Sequence, residues 1–144
     1  MIMGIIKTIL WLLWQLPQCL VGGIMYLFLT NKELIRKDKY TLVYKASNMS
    51  GGISLGCFIF LDPHAAQNEA TIRHELGHCK QSRMLGWLYL FVIGLPSLLW
   101  AAFGSNDKCY YSFYTESWAN ELMHLSVRTV YKRCYLVIDY DEDE

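Results

Sequence analysis

The chain has 144 residues, no formal net charge, and 53% hydrophobic against 18% charged residues. That length gives one compact domain and excludes two of ordinary size, while the apolar share exceeds the roughly 45–50% of soluble chains and points to membrane association. Its basic residues form no long patch interleaved with aromatics, which excludes nucleic acid as a partner.

Residues 1–31 are expected to form an apolar membrane-anchoring segment. The uncharged run Thr8–Asn31 has the roughly 20 residues that a bilayer-crossing helix needs. Pro17, within Gln15-Leu-Pro-Gln18, interrupts it and predicts a kink or turn. A kinked span, a re-entrant hairpin and an uncleaved anchor all fit, and no convincing small-residue cleavage site follows. Residues 31–39 are polar and basic, a short helix or loop suited to a cytoplasmic membrane surface. Tyr40–Lys45, a turn at Ser47–Gly52 and Ile53–Leu61 predict one β-hairpin. Asp62-Pro63 ends it, and Ala65–Arg83 predicts a helix with Asn68 or Asp62 as cap. A second uncharged run, Met84–Asn106, is interrupted by Pro96 within Gly94-Leu-Pro-Ser97. Residues 110–131 contain few breakers and carry Glu116, Asn120 and His124 at four-residue spacing, along one helical face. Residues 139–144 form an acidic, solvated tail. The five cysteines (Cys19, Cys57, Cys79, Cys109, Cys134) are scattered without a CxxC pair and read as reduced, buried thiols, with a cysteine zinc site or disulfide framework as the alternative.

Chemistry concentrates at His74-Glu75-Leu76-Gly77-His78, an HExxH pattern inside the predicted helix. Residues four apart lie one turn above each other, so both imidazoles reach one metal ion at about 2.0–2.1 Å, and Glu75 is left facing a water rather than the metal. This composition yields such a pattern by chance in roughly one sequence in 200. A catalytic zinc needs a third protein ligand and leaves a fourth position for water, and Glu116 on a later helix is the best candidate.

HELGH followed by Tyr114-Thr-Glu-Ser-Trp-Ala-Asn120, whose glutamate stands 38 positions after the second histidine, resembles the gluzincin metallopeptidases. The resemblance covers about thirty residues in two helical patches, and the small size is similar to that of the minimal gluzincins. It implies a small zincin-like domain with one zinc ion held by His74, His78 and Glu116, and a peptide or protein substrate. Glu75 would be the general base that takes a proton from water and returns it to the amine. Four residues after its glutamate the family carries an aspartate hydrogen-bonded to a ligating histidine; here Asn120 stands there, and its carbonyl can still accept from an imidazole N–H. A Tyr or His of the family stabilises the oxyanion, for which Tyr110, Tyr111, Tyr114 and His124 are available. By its own spacing His124 reads more simply as a packed side chain, and His64 as a surface residue. The strand before the motif, Ser50–Phe60, is expected either to pair with an extended substrate or to serve as core hairpin.

Were both apolar runs to cross the bilayer once, Glu116 would lie on the opposite side from His74 and His78. The second run is therefore expected to fold back at Gly94-Leu-Pro-Ser97, to lie in the interface, or to be buried in the domain. The expected fold is α+β and mainly helical: a zincin-like domain over 32–138 with a β-hairpin, an HExxH helix, a Glu-bearing helix and an apolar helical hairpin at 84–106. Eight of the thirteen basic residues lie between Lys32 and Arg83, which places the catalytic part on the cytoplasmic side of the membrane. Two other readings compete. An intramembrane site-2-like protease needs its motif immersed and usually an Asp as third ligand, whereas Glu69, Arg73, Lys80 and Arg83 flank this one. A non-catalytic membrane-anchored metal-binding protein has no need of Glu75.

Overall fold

The computed structural model describes residues 2–104 and 109–140, an α+β arrangement of five α-helices and two small sheets among those residues. The first apolar run gives α1 (Ile2–Trp14) and α2 (Leu16–Phe28), whose axes bend by 80° at Gln15. Pro17 sits in the first turn of α2, where its missing N–H costs that helix nothing but cannot continue α1. The bend is clamped to the C-terminal end of the motif helix. Buried Gln18 donates to Ser82 Oγ and to the Gly86 carbonyl, both at 3.0 Å, and Ser82 donates to Gln15 at 2.7 Å. Trp14 and Trp87 donate to the carbonyls of Arg83 and Leu13, each at 2.8 Å.

The larger sheet has the order β1-β2-β4-β3, with β1 (Glu33–Asp38), β2 (Thr41–Lys45), β3 (Gly52–Leu55) and β4 (Phe58–Leu61). Two corrections follow. Residues 31–39 are not a helix or loop: Glu33–Asp38 is an edge strand, and its Glu33 and Arg36 pair with Lys45 and Asp38 at the rim, where charge blocks edge-to-edge association. The single expected hairpin is two hairpins, because Gly56, at φ 65, turns the chain inside the stretch read as one strand, leaving β2 and β4 parallel. β4 is then central and buried on both faces. Ile59 and Leu61 meet Val43, Ile72 and Cys79 under the motif helix, while Phe60, with Phe58 partly buried beside it, packs towards Leu29, Tyr44 and Met25 on the α2 side. The sheet thus lies between α2 and α3 (Glu69–Leu85), which is capped by Asn68 accepting from the N–H groups of Ala70 and Thr71. Asp62 caps the preceding 3-10 turn through His64 N and Ala65 N, both at 2.7 Å.

The second apolar run does not fold back at Pro96, nor does it form a helical hairpin. Helix α3 ends at Gly86, which takes φ 54 against the Trp14 indole, and after the 3-10 turn Gly86–Leu88 the chain bends by 118° at Tyr89, beyond which residues 90–104 follow as one helical arm. Pro96 sits in the first turn of α4 (Leu95–Leu99), directly after the π-helical turn Leu90–Gly94, whose wider backbone accommodates the ring. Residues 105 and 106 of that run, and 141–144 of the acidic tail, lie outside the described residues. Among the described residues no single helix is long and apolar enough to cross a membrane.

The expected helical continuity over 110–131 is corrected too. Helix α5 covers only Tyr114–Glu121, after which β5 (Leu125–Val130) and β6 (Arg133–Ile138) form a hairpin through Tyr131 and Lys132, both at positive φ. Alternating Leu125, Val127 and Thr129 carry the strand signal. Cys109 and Cys134 are bonded to each other, their Cα atoms 5.8 Å apart, which ties the segment before α5 to β6 and corrects the reading of all five cysteines as free thiols.

Candidate metal centre

Helix α3 places His74, Glu75 and His78 on buried faces, and α5 brings Glu116 and Asn120 against them. The approach of the two helices depends on Gly77: a Cβ there would strike the Ala119 backbone, with its carbonyl carbon at 2.9 Å. The motif glycine therefore sets how near Glu116 comes to the histidines.

His74 Nε2 lies 3.0 Å and His78 Nε2 3.3 Å from Glu116 Oε2, and the two nitrogens are 3.2 Å apart. Tetrahedral ligands at about 2.0–2.1 Å from a metal ion stand about 3.3 Å from one another, so the three donor atoms have a spacing that one metal ion can accept. The tautomers agree. Gln81 donates its amide nitrogen to the Thr115 carbonyl at 2.9 Å, so its oxygen faces His78 Nδ1 at 2.7 Å and must receive a proton from it. Asn120 Oδ1 holds His74 Nδ1 in the same way, also at 2.7 Å. Both Nε2 atoms of the neutral rings are then bare, and two lone pairs and a carboxylate oxygen converge with no hydrogen between them. Such a convergence is repulsive unless a cation occupies it. A buried His-His-Glu group of this kind fits a metal ion.

A proton on a ring nitrogen would take a cation's place between the rings and the carboxylate, and the electrostatics of that protonated form carry the same sign. Burial lowers the His78 imidazole, yet the Glu116 hydrogen bond and the charges of Glu75 and Glu116 outweigh it and raise it above its ordinary value. Burial pushes the Glu116 carboxyl up, but hydrogen bonds from His74 and His78 hold it well below the usual carboxylate range. Its second oxygen, Oε1, accepts from Thr115 Oγ1 at 2.9 Å and from Ser97 Oγ of the apolar arm.

Glu75 stands beside this cluster without joining it. Ser54 Oγ of β3 lies 2.7 Å from its Oε2, and β3 crosses the carboxylate at Gly52, where a Cβ would meet Glu75 itself. A cavity of about 380 Å³ opens onto Glu75 and His78.

His124 leaves the face shared by Glu116 and Asn120, because α5 ends before it; at φ 53 it is exposed. Tyr114 donates its hydroxyl to the Val92 carbonyl at 2.5 Å and is half exposed. Tyr110 instead lines the cavity, and the Tyr111 ring stands edge-on to His74 at 5.3 Å. His64 is exposed, as its place beside Pro63 suggested. Sequence reasoning missed Gln81, Ser54, Ser97 and Thr115. Only Gln81 left a local signal, a polar residue one turn after His78 on a buried face.

Gln81→Ala is expected to weaken metal binding by about 10–100-fold, because the His78 ring loses its orienting acceptor. Competition against a chromophoric chelator measures this, and unchanged affinity would show that Gln81 only fills space.

Fold and site together define an α+β protein with a buried His-His-Glu group able to hold a metal ion. Compared with protein-family models, curated proteins and solved structures, the chain matches none.

Proposed function

We propose that the chain is a membrane-associated zinc metallopeptidase of gluzincin type. The observation that carries this reading is the placement of Glu75, a buried carboxylate facing a cavity, beside three convergent donors and outside their set. A purely structural site has no use for such a group. His74, His78 and Glu116 would hold the zinc ion, which would supply Lewis-acid chemistry to a peptide carbonyl and to water. Glu75 would take a proton from the attacking water as its oxygen bonds to the peptide carbonyl carbon, and deliver it to the leaving amine as the C–N bond breaks. Ser54 fixes the carboxylate for both transfers. Burial and the Glu116 charge raise the Tyr110 phenol, so it stays protonated and can donate to the carbonyl oxygen as negative charge develops there.

The test is metal analysis and peptide cleavage on the purified protein. Wild type should hold one zinc, lose activity to a chelator and regain it with zinc, whereas Glu116→Ala should retain almost none. Full zinc in Glu116→Ala removes that residue from the site.

Membrane association rests on the apolar surfaces of α1, α2 and the arm, where Met3, Leu10, Leu27, Phe28, Phe91 and Phe103 are all more than half exposed. Of the charges flanking the motif, Glu69 and Lys80 are exposed, and Arg73 and Arg36 both reach Glu69 at the surface, which favours a catalytic part outside the bilayer. The basic bias puts that part in the cytoplasm; the Cys109–Cys134 bond argues for an oxidising side. On the cytoplasmic reading the intact protein stays with membranes through a high-salt wash, and Cys109 and Cys134, once reduced, react with an impermeant reagent only in inverted vesicles. Recovery in the soluble fraction without detergent would refute the anchor.

A further inference from the structure

The cavity that ends on Glu75 and His78 has walls of unusual origin. One is β3, an edge strand; the others are the two apolar segments, α2 through Val21 and Met25 and the arm through Leu95 and Leu98. Apart from Glu75 and His78, no lining side chain among the described residues can carry charge at neutral pH. An anionic side chain entering here, or a cationic one away from Glu75, would lose its water and find no counter-charge, while an apolar one would gain contact with the walls.

The β3 edge supplies direction. Tyr89 donates its hydroxyl to the Ser54 carbonyl at 3.0 Å, so that carbonyl faces the edge away from β4. Backbone groups two residues apart in a strand point the same way, so Gly52 also presents its N–H and C=O to the open edge, directly over Glu75. An extended chain pairing there lies across Glu75. The surfaces of both walls that do not line the cavity, at Leu20 and Ile24 on α2 and Phe91 and Phe103 on the arm, are apolar and more than half exposed, so the cavity lies between two faces that suit lipid.

Resting on the peptidase reading, we propose that the substrate is an extended apolar segment of a membrane-resident polypeptide. It pairs with β3 at Gly52, and its side chains flanking the scissile bond seat against Leu55, Leu95 and Leu98.

The test uses the full chain, zinc-loaded in detergent micelles, with two quenched fluorogenic peptides identical except that the flanking residues are Leu and Phe in one and Asp and Lys in the other. The apolar peptide should show at least a 10-fold higher kcat/KM, the discrimination that a hydrophobic pocket gives. Equal cleavage, or preference for the charged peptide, overturns the substrate class and leaves the peptidase reading standing. If neither peptide nor casein is cleaved, the peptidase reading fails, and binding then decides the cavity's preference. Fluorescence anisotropy with Glu75→Gln protein should show at least 10-fold tighter binding of the apolar peptide, and equal binding overturns the inference. Leu98→Glu should shift that binding preference towards a Lys-flanked peptide; an unshifted preference removes the arm from substrate selection.

Discussion

If the chain is the proposed zinc peptidase, Glu75→Gln protein will keep one zinc at close to wild-type affinity and cleave peptides about 10²–10⁴-fold more slowly. The reason lies in where the side chain points. Glu75 contributes no atom to the His74–His78–Glu116 cluster, and its carboxylate is held by the Ser54 hydroxyl at 2.7 Å. Glutamine has the same shape and can still engage that hydroxyl, so packing beneath β3 is kept. What it cannot do is take a proton from water. Zinc content and kcat measured on the same preparation separate the outcomes. Retained cleavage would remove Glu75 from the chemistry, and lost zinc would mean that it supports the metal after all.

The residues that sequence alone brings together are those whose geometry is local. His74 and His78 share a helical face because of their spacing, and Asn68 caps that helix through its own side chain. Glu116 and Asn120 were legible as a pair one turn apart, though nothing local says that α5 stops before His124. It stops because Leu125, Val127 and Thr129 suit a strand, and pairing with β6 outweighs the absence of helix breakers. The charged stretch 31–39 reads as loop or helix because solvent-facing residues of an edge strand look like any polar segment. Likewise Pro96 carries a strong local signal for a turn, yet the reversal falls earlier, between Leu88 and Leu90, just after Gly86 at positive φ against Trp14. Ser54 and Ser97 could not be found in this way. Each matters through one hydroxyl placed across the fold, on Glu75 and on Glu116.

Gly77 is the position at which sequence pattern and tertiary packing meet, and its substitution is expected to disable the site without touching a ligand. In Gly77→Ala the new methyl group would fall on Ala119 backbone atoms, 2.9 Å from its carbonyl carbon and 3.1 Å from its Cα. No side-chain rotation relieves a clash with backbone, so α3 and α5 must separate, at a cost of about 1–3 kcal/mol. Glu116 rides on α5, and a shift of even half an ångström spoils donor spacings of 3.0–3.3 Å. Zinc affinity should fall at least about 10-fold, as it does when ligands lose their orienting contacts. Because a ligand that binds only the folded state stabilises it by about 2.7 kcal/mol at 100 Kd, the rise in Tm on adding zinc should shrink correspondingly. Gly23→Ala on α2 is the control: nothing lies within 4 Å of its added Cβ, so helix propensity alone should stabilise by up to about 1 kcal/mol with the zinc response unchanged. A Gly77→Ala protein with both Tm and zinc response intact would mean that helix contact does not set the position of Glu116, and that α5 is held by the Cys109–Cys134 link and the Ser97 contact instead.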